Sequence, residues 1–160
     1  MADPTAVREL QPDAGLAIGL IDPRTTTEQS ADAQQHIEMI TGNVLSKQTW
    51  RKVQEWLERY ASAKAFDIIL ARPVAGSGTL PNEAEVYYFI LNQMWRTLSP
   101  NEGRLLVEII TAQSSFKPLF QEWLKVVGQT AGITVRKGGA STTLGLMKSP
   151  QAPEDLPTIP

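Results

Sequence analysis

The stretch from Asn82 to Gly128 constrains this chain most, because it carries three strong apolar patterns separated by sharp local breaks. Asn82 suits an N-cap and Glu85 answers it three positions on, as in a capping box. Val86, Tyr87, Tyr88, Phe89, Ile90 and Leu91 are apolar or aromatic on every side, and Met94, Trp95 and Leu98 continue at helical spacing. A helix wetted along one face does not have this composition, so the run predicts a central helix with several neighbours.

Ser99-Pro100-Asn101-Glu102 comes next, with an N-cap residue, a proline at the first helical position and an acid at the third. Leu105, Leu106, Ile109 and Ile110 then fit a helix folded back on the first. After a second break at residues 114–118, Leu119, Phe120, Trp123, Leu124 and Val127 make one stripe that stops at Gly128. Short turns between such helices predict an antiparallel bundle core.

Upstream, residues 1–30 carry Pro4, Pro12 and Pro23 and a threonine run, which oppose a long helix. Leu16, Ile18, Leu20 and Ile21 are too aliphatic for a free tail and mark a short strand or an extended arm that docks either on its own domain or on a neighbouring subunit. Ser30 or Asp32 starts a modest helix with Ala33, Ile37 and Ile40 on its buried side, closed by Gly42-Asn43. Ser46 caps the next, where Trp50, Val53, Leu57 and Tyr60 recur at three and four residues. Its other face carries Lys47, Arg51, Lys52, Glu55, Glu58 and Arg59. That face is either solvated or offers Lys47, Arg51 and Lys52 to an acidic partner or to phosphates. Residues 66–71 fit a helix extension or a short buried strand equally.

Beyond Gly128, residues 133–137 have strand character, Gly138-Gly139 is a turn pair, and residues 141–147 fit a return strand. Pro150, Pro153, Pro157 and Pro160 predict an extended or disordered tail. The expected fold is therefore mainly α. It is an antiparallel helical bundle of about five helices with extended N- and C-terminal arms and a small β-hairpin near 133–147. The division is an arm over 1–30, a bundle over 31–128, and a hairpin or extended arm with a Pro-rich tail over 129–160.

Composition excludes several chemistries. There is no cysteine and one histidine, so thiol chemistry and a zinc site are not expected, and no motif asks for a cofactor. No apolar run approaches a membrane span, and the N-terminus lacks a charged-then-apolar signal pattern. A cytoplasmic or virion location is the expectation, without membrane partners. The net charge of −2 hides an acidic front and a basic back, since residues 126–149 hold Arg136, Lys137 and Lys148 and no acid.

Opposite charges on two long ends, with no nucleophile elbow, dinucleotide fingerprint or metal spacing, point to a non-enzymatic assembly subunit. Such a chain would self-associate through its terminal arms with copies of itself or other subunits, as in a virion or phage coat or connector. The alternative is a winged-helix regulator in which Arg136 and Lys137 contact nucleic acid from a wing, against a pI near 5.4.

Overall fold

The central helix leads into a strand, not into a second helix. In the computed structural model the helix α2 (Ala84–Arg96) ends at Thr97, and Ser99-Pro100-Asn101-Glu102 forms a tight turn rather than a helix start. Ser99 Oγ accepts from the Asn101 amide at 3.2 Å, and the Gly103 amide donates to Ser99 O at 3.2 Å. Glu102 has φ 63°, a left-handed conformation that cannot open a right-handed helix. The chain leaves as strand β4 (Gly103–Glu108), in which Leu105 and Val107 are buried while Arg104 and Leu106 are exposed. That alternation has the period of a strand.

The structure describes residues 15–19, 26–27, 30, 34, 37–60, 64–71, 83–108, 116–137 and 143–159. The chain divides into two compact units, residues 1–55 and 56–160. In the first, β1 (Gly15–Gly19) pairs in parallel with β2 (Ile37–Thr41), in register from Gly15 opposite Ile37 to Gly19 opposite Thr41. Ile37 and Ile40, expected on a helix, therefore lie in a strand. The helix α1 (Lys47–Tyr60) begins after Ser46, whose Oγ accepts from the Gln48 amide at 3.2 Å. Trp50, Val53 and Leu57 form its buried stripe, and Trp50 Nε1 donates to Val44 O at 2.8 Å.

In the second unit, β3 (Ile68–Ala71), β4, β6 (Thr143–Lys148) and β5 (Ile133–Lys137) form one sheet in the order β3-β4-β6-β5. Strands β3 and β4 are parallel and α2 crosses between them, while β6 runs antiparallel to both β4 and β5. The helix α3 (Phe116–Gln129) links β4 to β5. One face of the sheet presents Ile69, Ala71, Leu105, Val107, Leu144, Leu146, Ile133 and Val135. It packs with Leu91 and Trp95 of α2 and with Phe120, Trp123, Leu124 and Val127 of α3. Trp95 and Trp123 are 0% exposed, and burying each aromatic contributes about 3 kcal/mol.

The architecture is α/β, with three described helices and a four-stranded mixed sheet, and not a helical bundle of five. The strand pair β5–β6 is no peripheral wing, because β6 sits inside the sheet between β4 and β5.

Residues 149–159 do not hang free. Trp95 Nε1 donates to Pro153 O at 3.0 Å, Trp123 Nε1 to Pro157 O at 2.6 Å, and Tyr88 Oη to Leu156 O at 3.1 Å. Arg96 holds Asp155 through Nε at 2.5 Å and Nη2 at 2.9 Å. Leu156 is 2% exposed and belongs to the core. The prolines that withhold amides from a ladder still offer carbonyls, and the two indoles take those of Pro153 and Pro157.

Candidate functional site

Strand direction defines two unlike edges of this sheet. Ala71, Val107, Leu144 and Lys137 lie opposite one another in register, so β3, β4 and β5 all end on the edge where β6 begins. The helices α2 and α3 start from the same edge. Two of its connections are long, residues 72–83 between β3 and α2 and 109–115 between β4 and α3, and a third, 138–142, joins β5 to β6. On the opposite edge the connections are residues 97–102 and 130–132. Connections in α/β units are ordinarily about 2–6 residues, so the stretch between β3 and α2 is about twice the ordinary length.

Short connections alone do not close the amino edge; the C-terminal segment does. The Ser149 amide donates to Gly132 O at 2.9 Å, and Gly132, at φ +79°, leaves no room for a side chain because a Cβ would collide with the Ala152 nitrogen. Lys148 is buried there, donating from Nζ to Trp95 O at 2.9 Å and lying 5.1 Å from the centre of the Trp95 ring. Burial pushes its pKa down, and the carboxylates of Glu154 and Asp155 offset part of this. A cation at the carbonyl end of α2 also complements the helix dipole, so Lys148 caps a helix and takes no substrate-facing position.

At the carboxyl edge Glu83 occupies the N-cap position of α2 with an extended backbone (φ −122°, ψ 130°) and no side-chain cap bond. The expected cap, Asn82, lies outside the described residues. Glu85 stands in the first turn of α2, whereas α3 has no acid in its first turn. The positive ends of the two helix dipoles therefore face this edge with different charge, neutralised at α2 and open at α3. Among the described residues no cluster of three His, Cys, Asp or Glu side chains could hold a metal ion.

Of the residues singled out from sequence, Arg136 and Lys137 end β5 and reach the carboxyl edge; Arg136 is exposed. Lys47, Arg51 and Lys52 are exposed on α1, in the other unit. Leu16 and Ile18 lie in β1, while Leu20 and Ile21 fall outside the described residues. The expectation of an assembly subunit joined through its arms, in a virion or otherwise, is overturned. Residues 15–19 pair with β2 of their own chain, and the C-terminal segment is bonded to α2 and α3 of its own chain. The winged-helix alternative goes with it, since α3 packs its apolar stripe on the sheet. The expectation of a non-enzymatic chain, drawn from missing catalytic motifs and from two long ends of opposite charge, falls with the assembly subunit it supported.

The contacts of residues 149–159, which form a C-terminal strap, and the carboxyl edge were both missed from sequence. The available signal was the apolar run Ile68-Ile69-Leu70-Ala71, followed by a helix and then by Arg104-Leu105-Leu106-Val107, which is a β-α-β pattern.

No family model matches the chain, and no curated protein matches it. Among solved structures it is similar to a release-factor-specific protein-(glutamine-N5) methyltransferase from Alicyclobacillus acidocaldarius subsp. acidocaldarius DSM 446. The two share 14% identity with a TM-score of 0.40, over 91% of this chain and 88% of the other. At that distance the sheet's own geometry carries the functional reading. No helix among the described residues is long and apolar enough to cross a membrane.

Proposed function

We propose that the chain is an α/β ligand-binding domain, of the kind that serves enzymes, which takes a small molecule at the carboxyl edge of its parallel strands. One observation carries this: the two longest connections of the sheet, 72–83 and 109–115, lie on the edge where β3, β4 and β5 end, while the opposite edge is closed by the C-terminal strap. In open α/β sheets ligands bind outside the carboxyl ends of the strands, where backbone amides and helix N-termini converge. Arg136, exposed near the end of β5, gives that corner positive charge suited to an anionic group. Nucleoside-bearing ligands fit the general chemistry of such an edge, with a flat ring for apolar strand ends and an anion or carboxylate for amides.

The test is amide NMR of the full chain titrated separately with ATP, NAD, flavin mononucleotide and S-adenosylmethionine. Shifts confined to Ala71, Val107, Leu144 and the first turns of α2 and α3 are expected with one of them. Saturation with S-adenosylmethionine would direct the search to group transfer, and with NAD to hydride transfer. Shifts at Gly132, Ser149 and Ala152 instead, or none with any ligand, would refute the reading.

A further inference from the structure

Two neighbouring carbonyls of the C-terminal strap are shared between two helices. Tyr88 Oη of α2 donates to Leu156 O at 3.1 Å, and Trp123 Nε1 of α3 donates to Pro157 O at 2.6 Å. Consecutive Cα atoms of a trans peptide lie about 3.8 Å apart, so a single peptide unit separates the two ties. The Leu156 side chain is buried in one core cluster with Leu91 and Trp95 of α2 and with Trp123 and Leu124 of α3. The strap backbone therefore gauges the gap between the two helices.

The two ends of α2 are held differently. At its carbonyl end Lys148 of β6 donates to Trp95 O at 2.9 Å, and Leu91 and Trp95 are buried. Toward its start, Ala84 and Tyr88 are only partly buried. A helix rises about 1.5 Å per residue, so Tyr88 stands about 10 Å and Ala84 about 16 Å from Trp95 along the axis. A displacement at Tyr88, pivoted at Trp95, grows about 1.5-fold at Ala84 on the carboxyl edge. Small sliding of packed helices is the motion that such a tie opposes. We propose that the strap is a brace: by tying α2 and α3 to adjacent peptide units it sets the spacing of their N-terminal ends, and so regulates the affinity of the carboxyl edge. Two helix N-termini serve one anionic group only when their amides aim at the same point. The effect on affinity rests on the carboxyl edge being the ligand site; the effect on helix spacing does not.

The experiment uses the full chain, which has no cysteine, with Glu85→Cys carrying a nitroxide in the first turn of α2. The relaxation it induces at the amides of residues 119–124 of α3 reports the helix spacing. A glycine inserted between Leu156 and Pro157 lengthens the brace by about 3.5 Å and removes no bonding group. This insertion is expected to change those relaxation rates at least twofold, while the amide shifts of β5 and β6 stay in place. The Kd of the ligand that saturates the carboxyl edge should rise at least fivefold. A glycine inserted between Thr158 and Ile159, beyond both ties, should do neither. Should the first insertion also lose the β5 and β6 shifts, Tyr88→Phe, which removes one tie and keeps the ring, replaces it with the same expectation. The proposal is overturned if the relaxation rates do not change, if the two insertions act alike, or if the spacing changes and the affinity does not. If none of the four ligands binds, the assignment of the edge falls by itself, and the relaxation rates alone decide the brace.

Discussion

Asn92 on α2 receives the Leu156 amide on its Oδ1 at 2.8 Å and returns its Nδ2 to Asp155 Oδ1 at 2.7 Å. A single buried amide side chain thus holds two successive residues of the strap, in the way a neighbouring strand would. The strap seats Leu156 in the core, which leaves its amide with no access to water. Asn92 is the partner that makes this burial tolerable, since a buried donor without an acceptor carries its full desolvation penalty.

Asn92→Ala should therefore destabilise the chain by about 2 kcal/mol, through an orphaned donor rather than lost packing. Urea unfolding followed by tryptophan fluorescence checks it. An unchanged midpoint would show that the strap is not part of the cooperative unit. Asn92→Asp keeps the acceptor for Leu156 but sets a carboxylate against Asp155, so it should also destabilise, and less at low pH.

Asp155 makes the strap sensitive to acid. The hydrogen bond from Arg96, then that from Asn92, holds its carboxyl below the usual range, against a smaller opposing effect of burial. A folded-state pKa below the unfolded one contributes stability that is fully present above the unfolded value and is lost as pH falls through the folded one. Both side chains are nearly half exposed, so water screens the pair and its contribution is below about 1 kcal/mol. Asp155→Ala should cost that much at pH 7, and the gap between variant and wild type should close toward pH 2–3 in matched urea titrations. A gap that persists at low pH would place the effect outside the ion pair.

Much of the helical content was legible because α1 and α3 each carry a one-sided stripe, Trp50–Val53–Leu57 and Phe120–Trp123–Leu124–Val127. The strand β4 was not, because Leu105, Leu106, Ile109 and Ile110 recur at helical spacing, and a short apolar run does not by itself separate a helix from a strand. Ser99-Pro100-Asn101-Glu102 reinforced the error, since the residue types that cap helices also make tight turns. The decisive residue was Gly103, whose missing side chain leaves room for Ser99 O where a Cβ would collide with it. The carboxyl edge was hidden for a different reason: it exists only once β3 and β4 are known to be parallel, and the strand-helix-strand order that implies this is readable only after β4 is taken as a strand.

Gly132→Ala tests how tightly the strap closes the amino edge. The position combines φ +79° with a Cβ that would meet backbone atoms of Gln151 and Ala152, which cannot rotate away. A left-handed alanine costs about 1 kcal/mol and the collision adds to it, so a loss above about 2 kcal/mol is expected. Proteolysis should then release the C-terminal segment ahead of global unfolding. An alanine variant with wild-type stability would mean that the strap does not hold this close contact in solution.

Glu102 offers the opposite case, a residue whose replacement by glycine should strengthen the fold. Its φ of 63° lies in the region that a side chain disfavours, and the side chain is exposed. Relief of that strain is worth about 1–2 kcal/mol, while glycine adds unfolded-state entropy worth about 0.5–1 kcal/mol. Glu102→Gly should thus gain about 0.5 kcal/mol, or roughly 1–2 °C in Tm for a chain of this size. Glu102→Ala keeps the strain and should change little, which separates the backbone effect from loss of the carboxylate. If Glu102→Ala stabilises as much as Glu102→Gly, the charge and not the turn is responsible. If Glu102→Gly destabilises, the turn into β4 does not adopt this conformation.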